Sequence, residues 1–144
     1  MAAADPYWFV HPLIAILLLC GALTNLWLGL RVSAATTSLA VRLRLRFWHI
    51  RLGAALTIGG PVVLLLGLRG VAAAGWPLLG TFHGFMGLLL IGLLSMVGLT
   101  GLLLLRGREV VRPRHRLLVR LLVVLLSVQL LSGLSLIGRV LGGG

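Results

Sequence analysis

Four long apolar stretches constrain the fold of this chain more than any other feature. They cover residues 10–30, 47–69, 80–106 and 115–138. Each is long enough to cross a bilayer, which takes about 20 residues at a rise of about 1.5 Å per residue. Only short segments join them, so we expect one domain over residues 1–144. The sequence therefore predicts an all-α integral membrane protein, an up-down four-helix bundle with four transmembrane helices.

The distribution of charge predicts how the bundle is oriented. All 13 basic residues are arginine, and with two acidic residues they give a net charge of +11. Most arginines lie in or beside the first and third loops, at 31–51 and 106–120, whereas the opposite side carries only Asp5, Arg69 and Arg139. By the positive-inside rule, loops one and three face the cytoplasm and both termini lie on the outer or lumenal side. We call these two sides the inner end and the outer end.

The charge and the polar residues exclude several classes of function. The arginines suit the anionic headgroups of a lipid bilayer, and since they share no soluble face we expect no nucleic acid partner. The start, MAAADPYWFVHP, has no basic residue and is not expected to be a cleavable signal peptide. Cys20 is the only cysteine, so no disulfide or cysteine metal site is expected. No catalytic motif occurs, and a transporter or channel would need more polar residues within the spans. Five of those that occur are expected to bond between helices: Asn25, Thr57, Ser95, Ser127 and Gln129.

The histidines follow a regular pattern, with one near the N-terminal end of each predicted helix. Because successive helices alternate in direction, His11 and His83 lie at the outer end and His49 and His115 at the inner end. In a cyclic bundle, helices 1 and 3 are diagonal, as are helices 2 and 4. Each end therefore has two histidines that could face each other across the core.

A glycine follows every histidine by 18 residues, which is five full helical turns and returns to the same face. Glycine occupies 20 of the 144 positions, so four such matches would be rare by chance. Eighteen residues span about 27 Å, which puts each glycine level with the other histidine pair. A glycine there leaves room for a wide, flat group, as do Ala15, Gly53 and Gly87 four residues after a histidine, and Gly60 on the same face of helix 2. The pairs are His11 with Gly29, His49 with Gly67, His83 with Gly101 and His115 with Gly133.

Two facing imidazoles beside a broad slot are typical of haem b. Two axial histidines saturate the iron and favour electron transfer over oxygen chemistry. We therefore predict two bis-histidine haems, held by His49 and His115 at the inner end and by His11 and His83 at the outer end. Haem propionates, or an anionic reductant, could pair with arginines of the inner end: Arg46, Arg51 and Arg116.

Other ligands fit the histidines less well. A zinc site would lack ligands, because two histidines at each end have no carboxylate or thiolate in reach. Chlorophyll remains possible, since one axial imidazole suffices for it. The alternative function is therefore a structural, assembly or pigment-binding subunit of a photosynthetic membrane complex.

Two resemblances accompany these patterns. The layout of one histidine per helix resembles the four-helix core of cytochrome b561, which carries two bis-histidine haems and moves electrons across membranes. The sequence itself resembles a family of cyanobacterial and chloroplast membrane proteins designated domain of unknown function 4079. That resemblance covers nearly the whole chain: HPL at His11, the arginine-flanked His49 with Gly53, GTFHGFMGLL around His83, and RHRLLVRLLVVLLSVQLLSGLSLIGRVL from Arg114.

The likeness to cytochrome b561 implies an electron-transfer protein with a quinone or a small anionic reductant as partner. The family resemblance implies a photosynthetic lineage and a thylakoid or bacterial plasma membrane, and it brings no established activity. The His11–Pro12 pair departs from a b561 core. It predicts that His11 lies at the extreme edge of helix 1, and therefore that the outer haem is held less securely than the inner one.

Overall fold

The computed structural model describes residues 7–34, 38–73, 75, 77 and 80–141, and these residues form an all-helical bundle. All four long helices are long and apolar enough to cross a membrane, which confirms the predicted four-helix integral membrane fold. Asp5 lies outside the described residues, as does the side chain of Arg139. A short 3-10 turn, Glu109–Val111, precedes the last helix. The helices are α1 Tyr7–Ser33, α2 Leu39–Ala73, α3 Phe82–Leu105 and α4 Arg112–Leu141.

The helices pack as two antiparallel hairpins. α1 packs mainly on α2, and α3 packs mainly on α4; we call these pairs hairpin 1 and hairpin 2. The hairpins meet chiefly along α2 and α3, while α1 and α4 touch sparsely. Among the described residues, the backbones of α1 and α3 do not approach each other closely, and neither do those of α2 and α4. The arrangement is therefore cyclic, with the two diagonals that the sequence predicts.

α2 begins at Leu39, well before the predicted start near residue 47. The added segment, LAVRLRLR, alternates leucine and arginine, two of the strongest helix formers, and holds no proline or glycine. Charge alone suggested a loop there, but a helix continues beyond the membrane when its sequence allows it. Arg42, Arg44 and Arg46 thus lie on a helix that projects from the inner end.

α1 also begins earlier than predicted, at Tyr7, which changes the position of the His11–Pro12 pair. His11 lies one full turn inside the helix, and Pro12 lies in its second turn. The expectation that His11 stands at the extreme edge of helix 1 is therefore wrong. Pro12 is the sixth residue of α1, beyond the first four N–H groups that lack helical partners, so its missing N–H removes one backbone hydrogen bond of the helix.

Local sequence signals determine where α3 begins and ends. Thr81 caps α3 by accepting a hydrogen bond from the backbone N–H of Gly84 at 3.0 Å. Thr81 lies two residues before His83, and Gly84 directly follows it. At the other end, Gly107 has φ +79°, the left-handed conformation that glycine adopts readily. Its N–H donates to Leu104, and that of Arg108 donates to Leu103, which completes a Schellman motif. This turn brings α4 back alongside α3.

Side chains fill little of the bundle's interior. Leu28, Leu56 and Leu122 are the only large apolar residues described as buried, each 8% exposed, although apolar residues dominate the helices. α2 and α3 approach closely at mid-height, where a Cβ on Gly60 would lie 2.5 Å from Cδ2 of Leu94. On either side of this contact the interior opens into space lined by the histidines.

Candidate functional site

In hairpin 1 each histidine packs against a glycine of the partner helix. A Cβ built on Gly67 would lie 2.9 Å from Cε1 of His11, and one built on Gly29 would lie 3.0 Å from Cε1 of His49. The distance at Gly67 is shorter than real Cβ atoms show, and the one at Gly29 is tighter than nearly all of them, so a side chain at either position would require the ring to shift. The glycines thus lie level with the histidines of the opposite end, where the 18-residue spacing puts them.

Hairpin 2 repeats this arrangement. A Cβ on Gly133 would lie 3.0 Å from Cε1 of His83, and one on Gly101 would lie 3.6 Å from Cε1 of His115. Every histidine therefore packs against one glycine of the other helix in its hairpin, and we call these four residues the contact glycines: Gly29, Gly67, Gly101 and Gly133. The sequence predicts room for a flat group beside these glycines. In the structure the group nearest to each glycine is an imidazole.

The histidines of hairpin 1 are oriented by backbone carbonyls. Nδ1 of His11 bonds to the carbonyl oxygen of Val63 at 3.1 Å, and Nδ1 of His49 bonds to that of Asn25 at 3.0 Å. Each acceptor lies four residues before the contact glycine, so the missing side chain exposes that carbonyl to the ring. A carbonyl only accepts, so each Nδ1 carries the proton and each Nε2 carries a lone pair.

The histidines of hairpin 2 reach equivalent carbonyls through a hydroxyl. Nδ1 of His83 bonds to Oγ of Ser132 at 3.0 Å, and Ser132 donates in turn to the carbonyl of Gln129 at 2.9 Å. Because that hydroxyl proton is already used, Ser132 accepts from Nδ1–H. Gln129, like Val63 and Asn25, lies four residues before a contact glycine.

His115 is held in the same way as His83. Nδ1 of His115 lies 2.9 Å from Oγ1 of Thr100, whose hydroxyl donates to the carbonyls of Met96 and Val97. Thr100 and Ser132 each directly precede a contact glycine, in the pairs Thr100–Gly101 and Ser132–Gly133. All four histidines therefore have the same tautomer, with Nε2 as the nitrogen that can bind a metal.

The histidines lie two at each end of the bundle, and the outer two form a close pair. The ring centroids of His11 and His83 lie 6.2 Å apart with an interplanar angle of 90°. His49 and His115 line the same cavity at the inner end. Each pair takes one histidine from each hairpin, so neither hairpin forms a site alone. No group of three His, Cys, Asp or Glu side chains comes together in the described part of the chain.

A cavity of about 1540 Å³ connects the two histidine pairs. Apolar side chains form most of its wall, and the mid-height contact between α2 and α3 lies along it. The predicted site residues that line it are the four histidines, the four contact glycines, Ala15, Gly53, Gly60, Gly87, Arg46 and Arg116.

Arginines gather where the cavity reaches the inner end. Arg112 pairs with Glu109 through Nε at 2.7 Å, and both residues line the cavity. Arg51 does not line the cavity, because its guanidinium lies over the ring of Phe47, 5.0 Å from the centroid. The arginines of the lining are Arg42, Arg46, Arg112, Arg116 and Arg120.

Polar side chains within the spans behave differently from one another. Gln129 bonds across to α3, as predicted, and its amide nitrogen lies 3.3 Å from where a Cβ on Gly87 would stand. The amide nitrogen of Asn25 lies 3.2 Å from where a Cβ on Gly53 would stand, but its Oδ1 is buried without a hydrogen-bond partner in the described structure, so the predicted interhelical bond is not seen for Asn25. The prediction is wrong for three of the five residues, because their hydroxyls bond to carbonyls of their own helices: Thr57, Ser95 and Ser127.

Sequence reasoning missed the groups that orient the rings. Thr100 and Ser132 carry a usable signal, since a hydroxyl residue precedes the contact glycine in both helices of hairpin 2. The carbonyls of Val63 and Asn25 carry none, because every residue has one. No family model matches the chain, and no curated protein or solved structure is detectably similar to it. The resemblances to cytochrome b561 and to domain of unknown function 4079 therefore stay predictions.

Proposed function

We propose that this protein is a dihaem b-type cytochrome, similar to cytochrome b561, that moves electrons across a membrane. His49 and His115 hold the inner haem, and His11 and His83 hold the outer one. The observation that carries the proposal is the geometry of the outer pair, whose ring centroids lie 6.2 Å apart.

That separation suits one metal bound between two rings. A metal–nitrogen bond of about 2.0 Å and about 1.1 Å from nitrogen to centroid put each centroid about 3.1 Å from the metal. Two imidazoles that both bound one iron would therefore have centroids about 6.2 Å apart, which is the separation of His11 and His83. Edge-to-face packing alone also allows centroids about 4.5–7 Å apart, so the separation supports the proposal only together with the hydrogen bonds of the rings.

The tautomer of the histidines supports metal binding at both ends. Metal-ligating histidines almost always donate their other ring N–H to a carbonyl, a carboxylate or another acceptor, which fixes the ring and raises its basicity. His11, His49, His83 and His115 all do so through Nδ1. Four separate side chains with one tautomer favour a common role as ligands over four unrelated interfacial positions.

The size and lining of the cavity suit large, flat cofactors. Protein interiors pack as densely as organic crystals, and pockets for a single small molecule have volumes of about 300–1,000 Å³. A cavity of about 1540 Å³ is larger than one such ligand needs. Its apolar wall provides the low dielectric that a buried redox centre requires, and Arg46 and Arg116 at its inner end suit haem propionates.

The residues present favour electron transfer over oxygen chemistry. When bound, haem b supplies an iron that gains and loses one electron. If each end held a haem, its two imidazoles would both serve as ligands of the iron and would leave no site for a substrate. The apolar helices exclude water, and the two histidine pairs lie about one membrane thickness apart, as 18 residues of helix require.

The arrangement of charge supports an orientation and a class of partner. We place the arginine-rich inner end on the cytoplasmic side of a bacterial plasma or thylakoid membrane, with both termini on the outer or lumenal side. Arginines at the inner mouth of the cavity suit a small anionic reductant, and a membrane quinone is the second candidate donor or acceptor.

Electron transfer across vesicle membranes tests this function. The haem-loaded protein is reconstituted into liposomes that contain trapped ferricyanide, and a membrane-impermeant reductant is added outside. We expect ferricyanide to be reduced by the wild type and not by His49→Ala, which keeps only the outer pair intact. A wild type that carries two haems yet transfers no electrons would contradict the proposal. A protein that takes up chlorophyll or no pigment would favour the structural or assembly role.

A further inference from the structure

Gln129 contacts the metal-binding nitrogen of one histidine and not of the others. Its Nε2 lies 3.1 Å from Nε2 of His83 and 3.1 Å from the carbonyl oxygen of His83. Both of these atoms are acceptors, since Nδ1 of His83 carries the ring proton. The amide must therefore point its nitrogen toward His83, and the assignment of its two ends follows from the hydrogen bonds.

The other three histidines lack such a contact. Within the described residues, Nε2 of His11, His49 and His115 forms no hydrogen bond with the protein. Asn25 is the positional counterpart of Gln129, since each lies four residues before a contact glycine. Its shorter side chain packs over Gly53, and it binds His49 only through its backbone carbonyl. The extra contact is thus specific to the outer pair.

Holding His83 leaves the other end of the Gln129 amide unsatisfied. Its Oε1 is buried and has no hydrogen-bond partner in the described structure. A buried acceptor without a partner is unfavourable, so this orientation persists because the nitrogen has two acceptors on His83. If a metal took the lone pair of Nε2, one of the two bonds that fix the amide would be lost.

We propose that Gln129 is a positioning residue that makes the outer histidine pair the weaker and more exchangeable of the two haem sites. It does so by competing with the metal for the lone pair of His83. This inference rests on the proposed function for its ligand, but the contact itself belongs to the protein alone. The inner pair, which lacks a competing donor, loads first and releases its cofactor last.

The first test needs no haem. Histidine labelled with ¹⁵N is incorporated into the metal-free protein in micelles, and the Nε2 resonances of the four rings are compared. A lone pair that accepts a hydrogen bond resonates upfield of a free one, so we expect Nε2 of His83 to stand apart from the other three. Gln129→Met keeps the length of the side chain and removes the donor, so it should shift the Nε2 resonance of His83 toward those of the other three rings. A His83 resonance that Gln129→Met leaves unchanged would overturn the proposal.

The second test measures affinity. Haem b is titrated into His49→Ala protein, in which only the outer pair is complete, with and without Gln129→Met. Removing one competing hydrogen bond should tighten binding about fivefold. Ser127→Ala is the matched control, because it removes an exposed hydrogen bond within α4. Unchanged or weaker binding in Gln129→Met would overturn the proposal. Failure of the unmodified wild type to bind haem at either end would instead overturn the proposed function, and the resonance of His83 would still decide the role of Gln129.

Discussion

His49 and Gly29 meet at the inner end of hairpin 1, where a Cβ on the glycine would lie 3.0 Å from Cε1 of the imidazole. Nδ1 of the same ring bonds to the carbonyl of Asn25, one helical turn before that glycine. The glycine thus has two roles: it admits the ring, and it exposes the carbonyl that orients it. The same relationship occurs four times, directly in hairpin 1 and through a hydroxyl in hairpin 2.

Replacing one histidine should remove one haem and spare the other. His49→Ala and His115→Ala each leave the inner pair with a single ligand, while His11 and His83 are unchanged. We expect the haem content to fall from about two to about one per chain, as each haem needs two axial ligands here. Haem quantification on the purified variants checks this. Loss of both haems from a well-folded variant would argue against two independent sites.

Filling a contact glycine should displace the histidine that it faces. Gly133→Leu puts a side chain where only 3.0 Å separates a Cβ from Cε1 of His83, so we expect loss of the outer haem with the inner one retained. Gly138→Leu is the control on the same helix, since no atom lies within 4 Å of its Cβ position. Absorption spectra and haem content distinguish the two variants. Retention of both haems with unchanged potentials in Gly133→Leu would count against the role of the glycine.

Removing a hydroxyl that orients a ring should weaken one site without abolishing it. Ser132→Ala takes away the acceptor for Nδ1–H of His83, and the loss of such a partner typically lowers metal affinity about 10- to 100-fold. Haem titration in a His49→Ala background measures the outer site alone. Ser135→Ala, which removes an exposed bond within α4, should leave the affinity unchanged. Equal effects of the two substitutions would contradict a specific role for Ser132.

Loss of haem should destabilise the association of the two hairpins. Each histidine pair joins one hairpin to the other, while α1 and α4 touch only sparsely. A ligand at about 100 times its dissociation constant adds about 2.7 kcal/mol to the free energy of unfolding. Thermal unfolding at several haem concentrations should therefore show a rising midpoint. The double variant His49→Ala/His83→Ala, which lacks one ligand at each end, should show none, and an equal rise in it would indicate nonspecific binding.

Much of the fold follows from local properties of the sequence. The apolar stretches predict the four spans, and alternation of direction predicts which histidines share an end. The start of α2 is harder to predict, because the charges at 42–46 are typical of a loop whereas the helix propensities of the leucines and arginines there favour a helix. Helix propensity prevailed there, since a helix can continue into water when no residue breaks it.

The site was predictable where it depends on helical periodicity. The spacing of 18 residues placed Gly29 and Gly133 correctly, because five turns return to one face. The acceptors for Nδ1 depend on the rotation of each helix against its hairpin partner, which no periodicity reveals. The direction of the Arg51 side chain could not be predicted for the same reason. Arg51 lies near the inner end in sequence, but its guanidinium lies over the ring of Phe47.

The most direct test of the account is the reduced-minus-oxidised absorption spectrum of the purified protein, with haem measured per chain. The protein should be expressed with ample haem and kept folded in detergent. The account predicts sharp α-bands of six-coordinate b-type haem and close to two haems per chain. A flat spectrum from well-folded, haem-replete protein would contradict it, and the four histidines would then be structural residues that join the helices of each hairpin.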